Sequence, residues 1–333
     1  MAKTIKEIAS ETGVSVTTVR LVIGGHADKY RISPKTQKLV EDHIARHGYV
    51  LHHAARSLKL KRSDTIGFVV PDLANPFFAR LIAAMEHHCR GRNLVLLTAS
   101  GGDDPEQEIR SIDILLARGV DGLIVAPCQP PLHRALLTRK PALAVVMVDR
   151  DYDQDKFSAV ASDNVGSSQV LTGEMLAGVA GPVDFLCADT ALPSIRDRIT
   201  GFSQAMLRAG YADWPSYVHP AAEDGVDSGC RLIAALMAAR GGLPKAVMTS
   251  SLLVLEGAVQ QIKRAIGRVP ADLLIGTFDD HAMLDFLPNR VLSVVQDESR
   301  LAALAFENLL SQIDGRAPPP KRLTVPCTIV RRN

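Results

Sequence analysis

Between Thr65 and Phe278 short apolar runs recur with amphipathic stretches between them, and no other feature of the 333-residue chain narrows its fold so far. TIGFVV, LVLLTA, DGLIVA and ALAVVMV read as strands buried on both faces, because such runs leave no polar side for water. Helical periodicity fills the gaps from about Phe77 to Arg90 and from Pro105 to Arg118, and one more helix precedes ALAVVMV. Strand and helix in strict alternation predict a doubly wound α/β sheet. A second series follows from AVASDN, where Asp163 is placed to cap a helix reaching about Val179. It continues through VDFLCA, a helix from Ser194 to Arg208, SYVHP, a helix from about Val226 to Arg240, KAVMTS, a helix from Leu252 to Ile266, and LLIGTF. Two series without a long linker predict two lobes facing a cleft. VLSVVQ, a helix from about Arg300 to Ile313 and a final KRLTVPCTIV should cross back. That places lobe 1 at about 64–161 and 291–319, and lobe 2 at about 162–290 and 320–330. No internal sequence repeat relates the two.

The first 62 residues are of another kind. They hold 12 Lys or Arg against 5 Asp or Glu, whereas the remainder holds 26 against 31, so a basic head precedes a mildly acidic body. Such asymmetry suits a polyanionic partner. Within the head, Thr4 to Gly24 reads as two short helices joined at Gly13. Ile5, Ile8 and Ala9 share one helical face, and Val14, Val19 and Val22 share another. Ser15 is an N-cap, so the second helix starts at Val16 and points Val16, Thr17 and Arg20 outward at its N-terminal end, as a recognition helix does. A third helix from about Pro34 to His47 is capped by Ser33. HHAARSLKL, at 52–60, is too short and polar to stand as a helix alone, and reads as a hinge that orders on DNA, with Ala55 and Leu58 available to the minor groove.

The longest apolar runs, such as the eight residues PALAVVMV, are far short of the roughly 18 that a spanning helix needs. MAKTIKEIA lacks the apolar core of a secretory signal, which favours the cytoplasm. The five scattered cysteines read as buried thiols, and the adjacent pairs His52/His53 and His87/His88 splay apart on a helix, so no metal, disulfide framework or cofactor is expected. Neither GxGxxG after the first strand, GxxxxGKS/T, GxSxG nor HExxH occurs, and nothing points to an enzyme.

In doubly wound folds ligands bind beyond the carboxyl ends of the strands. The residues there are Asp72, Asn75, Phe77 and Phe78 after TIGFVV, and Asp149 and Arg150 after ALAVVMV. In the second lobe they are Ser194 and Arg198 at a helix start, Ser251 after KAVMTS, Asp279 and Asp280 after LLIGTF, and Gln296 after VLSVV. Carboxylates, guanidinium forks and amides form an apt set for a polyhydroxylated ligand, and the two arginines would also suit a phosphate.

The ordered set TIKEIASETGVSVTTV, IGFVVPDLANPFF, DGLIV, SIRDRITGF, IGTFDDH and SVVQD resembles the lactose/galactose repressor (LacI/GalR) family of bacterial transcription regulators over nearly the whole chain. ADKYRISPKT, VDRD, LPSIRDRITGF, LEGAV and TFDDHAMLDFL are most similar to its fructose and sucrose regulators. The resemblance implies an all-α helix-turn-helix head at 1–50, a hinge helix and linker at 51–63, and a two-lobed, periplasmic-binding-protein-like sensor at 64–333. It implies a homodimer on a near-palindromic operator, released by a sugar, with fructose or fructose 1-phosphate expected. Val16, Thr17 and Arg20 would then face DNA and Leu58 would wedge into the central step. Thr4, Ser15, Thr18, Arg31, His52 and Ala55 complete the DNA-facing candidates. Asp149, Arg150, Ser194, Arg198, Asp279 and Gln296 would meet the sugar, joined by Asp72, Asn75, Phe77 and Ser251. Three positions depart from the family pattern: Leu51 and His52 stand where Pro-Asn often enters the hinge, Arg20 where Ser is frequent, and Ser251-Leu252 where many relatives have Asn-Asp. The chain ends without a heptad tail, so a dimer is expected and a tetramer would have to form through the body. A sugar-modifying enzyme, a solute-binding protein and a regulator of activating polarity are the rival readings.

Overall fold

The computed structural model describes residues 3–48, 62–128, 143–152, 156–316, 319–320 and 322–332. The expected hinge at 52–60, with His52, Ala55 and Leu58, and the helix expected before ALAVVMV lie outside the described residues. The chain divides into two compact units at Ser63/Asp64.

Among its described residues the first unit contains three helices: α1 (Ile5–Thr12), α2 (Val16–Ile23) and α3 (Pro34–His47). Thr4 and Glu7 form a reciprocal capping box at the start of α1, in which the Thr4 hydroxyl accepts the Glu7 N–H and the Glu7 carboxylate accepts the Thr4 N–H. Gly13 ends the helix at φ +68°, a conformation that costs a residue without Cβ little. Ser15 caps α2 through the Thr18 N–H, and Ser33 caps α3 through the Thr36 N–H. Ile8, Ala9, Val19, Val22, Ala27 and Val40 form the small core.

The second unit is a pair of α/β lobes. Lobe 1 has β1 (Thr65–Val70), α4 (Pro76–Gly91), β2 (Val95–Ser100), α5 (Pro105–Ala117), β3 (Gly122–Val125), β4 (Ala144–Val148) and β5 (Ser158–Ser162). Lobe 2 has α6 (Asn164–Gly178), β6 (Asp184–Cys187), α7 (Pro193–Arg208), β7 (Val218–Pro220), α8 (Val226–Arg240), β8 (Ala246–Thr249), α9 (Leu252–Ile266), β9 (Leu274–Phe278) and β10 (Val291–Val295). The chain then returns to lobe 1 with α10 (Glu298–Ile313) and β11 (Arg322–Val325), and ends in lobe 2 with β12 (Thr328–Arg332). The sheets run β11-β5-β4-β3-β1-β2 and β12-β10-β9-β8-β6-β7; every pairing is parallel except β10 with β12.

The expected lobe boundaries need correction at the C-terminal end. VLSVV (291–295) belongs to the lobe 2 sheet, where it pairs with β9, and not to lobe 1. KRLTVPCTIV splits between the lobes: β11 pairs with β5 of lobe 1 and β12 with β10 of lobe 2. Pro326 interrupts the run between them, and proline offers no N–H to a ladder. The lobes are therefore joined three times, at 162–164, 295–298 and 325–328.

Each sheet is covered on both faces. In lobe 1, α4 and α10 close one face over Phe68, Phe78, Leu81 and Phe306, and Ile112 and Leu115 of α5 help close the other. In lobe 2, Phe185, Phe202 and Phe278 lie on one side, and Ile233, Val254 and Ile275 on the other. The pair α8/α9 is packed backbone to backbone: a Cβ on Gly229 would lie 2.1 Å from the Val254 carbonyl oxygen, and one on Gly257 1.8 Å from that of Val226. Among the described residues no helix is long and apolar enough to cross a membrane.

Candidate ligand cleft and DNA-binding face

The carboxyl ends of the two sheets supply one cleft, partly open to solvent. Of the ten residues expected to meet the sugar, nine line it: Asn75, Phe77, Asp149, Arg150, Ser194, Arg198, Ser251, Asp279 and Gln296. Asp72 does not. Its carboxylate turns back to accept the Ala74 N–H at 2.8 Å and stays exposed, so the loop's own hydrogen bonding holds it outside the cleft lining. Asp280 also turns away, to Ser293 and Arg332.

Asp149 and Asp279 occupy equivalent turns, each just after the fourth strand of its lobe, and both take left-handed backbone angles, φ +64° and +68°. A short polar side chain tolerates that region better than most. Both are buried. Burial pushes both carboxyls above their ordinary value, while Arg198 pulls both back down. Arg198 is buried as well. Its Nε donates to Asn164 Oδ1 at 2.8 Å, its Nη1 to the Ser250 carbonyl at 2.5 Å, and its guanidinium lies 4.0 Å from the centre of the Phe278 ring. Gln296 donates to Asp279 Oδ1 at 2.6 Å and accepts the hydroxyl of Ser162 at 2.5 Å, which ties the last strand residue of one lobe to the cleft floor of the other.

Arg150 is held by Asp103, from the loop before α5, and its Nε is 3.9 Å from Asp149. Nearby, Glu108 accepts the Cys128 N–H at 2.8 Å, and burial raises its carboxyl to about 7. Asn75 caps α4 through the Phe77 N–H, leaving its amide N–H2 as a donor. Phe77 and Phe78 meet edge to face. Phe78, expected at the end of the first strand, lines the cleft too, and so do Ala188, Leu192, Ile195, Asp224 and Ser250, which were not expected from sequence. Ala188 and Ser250 directly follow strands, and Asp224 follows the short edge strand β7, so the strand-end rule applied to every strand would have found these three. Leu192 and Ile195 carry no such signal. Among the described residues no group of three or more His, Cys, Asp or Glu is placed to hold a metal ion.

In the head, Val16, Thr17 and Arg20 are exposed on α2 at spacings that put them on neighbouring positions of its surface. Thr4 and Ser15 use their hydroxyls as caps, Thr18 is half-buried beside Ser15, and Arg31 is exposed in the loop before α3.

A basic three-helix head with an exposed second helix, and a two-lobed α/β body with a polar cleft, define a ligand-sensing DNA-binding regulator. Residues 4–51 match the family model described as bacterial regulatory proteins, lacI family, and residues 66–317 match that of the periplasmic binding protein domain. The chain is 33% identical to the sucrose operon repressor of Klebsiella pneumoniae, over 99% of this chain and 98% of that protein. It is also 33% identical to the fructose operon regulatory protein of Vibrio cholerae, over 91% and 92%. The structure of the Cra transcriptional dual regulator from Pseudomonas putida, in complex with fructose 1-phosphate, superposes with a TM-score of 0.74 at 31% identity, over 81% of this chain and 99% of that one. The chain belongs to the lacI family of bacterial regulatory proteins, whose members here are transcription regulators and not enzymes.

Proposed function

We propose that the protein represses sugar-utilisation genes in the cytoplasm as a homodimer, and that fructose or fructose 1-phosphate in the cleft releases it from a near-palindromic operator. The observation that carries the sugar reading is that Asp149 and Asp279, one from each lobe, are both buried in the cleft lining, within the electrostatic reach of Arg198. Carboxylates accept hydroxyl protons in pairs, and a polyol held by both would couple its own binding to the separation of the lobes. The named relatives support the choice of sugar. Arg150 and Arg198 are the cations to which a phosphate could turn. Val16, Thr17 and Arg20 read the major groove, and Leu58 of the hinge wedges into the central step. Thr4, Ser15, Thr18, Arg31, His52 and Ala55 make the flanking contacts.

Linkage of this kind is typically worth about 1–3 kcal/mol, so the effector should weaken operator binding roughly 5- to 150-fold. Footprinting on the promoter of the neighbouring gene, with and without fructose or fructose 1-phosphate, tests both halves together. Protection of a near-palindromic site that fades with one of the sugars is the expected result. Protection unchanged by either sugar removes the effector assignment, and no preference for any promoter fragment over bulk competitor removes the repressor reading.

A further inference from the structure

Asp224 lies in the irregular stretch between β7 and α8, at the carboxyl end of an edge strand, and lines the cleft from lobe 2. Its Oδ1 accepts the hydroxyl of Ser251 at 2.5 Å. Ser251 is at the same time the N-cap of α9, with Oγ accepting the Val254 N–H at 3.2 Å. A hydroxyl has one proton. That of Ser251 is committed to Asp224, so Ser251 presents the carboxylate and has no hydrogen left for a ligand. No donor among the described residues meets the other oxygen of Asp224.

The balance of charge around the cleft points the same way. Asp149, Asp224 and Asp279 face two guanidiniums, and Arg150 is already paired with Asp103. Arg198 spends Nε on Asn164 and Nη1 on a backbone carbonyl. One anionic group can find cations here, and a second meets carboxylates.

We infer that Asp224 determines specificity: it accepts a hydroxyl of the bound sugar and rejects an anionic group, so that the cleft admits at most one phosphate. The inference rests on the sugar-sensing reading above. A bisphosphate probes it whichever way round the sugar lies, because its second phosphate cannot avoid the acidic part of the cleft.

The test is calorimetric titration of the full-length protein with fructose, fructose 1-phosphate, fructose 6-phosphate and fructose 1,6-bisphosphate. For the wild type, the bisphosphate should bind at least about 100-fold more weakly than the best of the other three, the scale of an uncompensated like-charge contact. Asp224→Asn keeps the shape and can still accept from Ser251. It should narrow that gap about 10-fold and weaken the best ligand by a similar factor, because a charged acceptor has become a neutral one. Asp224→Ala should narrow the gap as well, which keeps the outcome readable if one variant folds poorly by circular dichroism. Tight binding of the bisphosphate to the wild type overturns the inference, as does a gap that neither variant narrows. Binding of none of the four sugars by the wild type sinks the sugar reading and the inference with it, an outcome distinct from binding with an unchanged ratio.

Discussion

Replacing Arg198 by methionine tests whether one buried cation holds the cleft together. Methionine is long and apolar enough to stay on the Phe278 ring, but it loses the bonds to Asn164 and the Ser250 carbonyl and strips Asp149 and Asp279 of their shared counter-charge. Removing one partner from a buried charge cluster costs about 3–5 kcal/mol, and that is the expected loss of sensor stability at pH 7.5. Its pH dependence has a definite sign. Burial already holds both carboxyls above the unfolded value, so they favour the folded state fully only when protonated and oppose it as pH rises. Arg198 works against that shift. Without it both groups protonate at higher pH, so the variant's deficit relative to wild type should shrink from pH 7.5 to 5.5. Urea unfolding at the two pH values can be followed through Trp214, the single tryptophan, which packs against the lobe 2 core. A deficit below about 1 kcal/mol, or one that grows on acidification, refutes the assignment of Arg198 as the counter-charge. Arg198→Lys should be intermediate, since an ammonium restores charge without the fork that reaches both acceptors.

Arg20→Ala should weaken specific operator binding by about 1–3 kcal/mol with little change on random DNA, measured by competition titration; equal losses on both would make Arg20 a phosphate contact instead. Gly257→Ala should lower the melting temperature by several degrees, because its Cβ would meet a carbonyl oxygen at 1.8 Å in a helix pair that must then separate; an unchanged melt contradicts the close α8/α9 packing. Asp197→Asn removes the 2.8 Å ion pair with Arg322 that links α7 of lobe 2 to β11 of lobe 1. Both partners are part exposed, so stability should fall by less than about 1 kcal/mol, while the sugar concentration needed for operator release shifts; an unchanged release curve would mean the pair does not bias the lobes.

Most of the fold was legible because most of its strands are buried on both faces and announce themselves as apolar runs. Ten cleft residues followed from one rule, that doubly wound sheets bind at strand ends. The failures have physical causes. Asp72 satisfies the strand-end rule, yet a two-residue hydrogen bond to its own loop outcompetes the cleft, and such local capture leaves no trace in hydropathy. KRLTVPCTIV reads as one run because proline at 326 is apolar too, although the chain changes lobe there. Asp224 was overlooked because β7 has three residues and none of them buried, too weak a pattern to mark where its end lies.

The duplication of the lobes was invisible in sequence and explains the cleft. Setting aside β11 and β12, the strand orders 5-4-3-1-2 and 10-9-8-6-7 are the same order written twice, and Asp149 and Asp279 follow corresponding strands with nearly the same backbone angle. A cleft lined only by such pairs would hold a ligand equally well in either direction. Arg198 breaks the equivalence, being contributed by α7 of lobe 2 and anchored there by Asn164 and the Ser250 carbonyl. Arg150 breaks it from the other side, drawn by Asp103 towards lobe 1. An asymmetric sugar therefore meets two matched acceptors and two unmatched cations, which is enough to fix its direction, and a ligand with a fixed direction can pull on one lobe differently from the other.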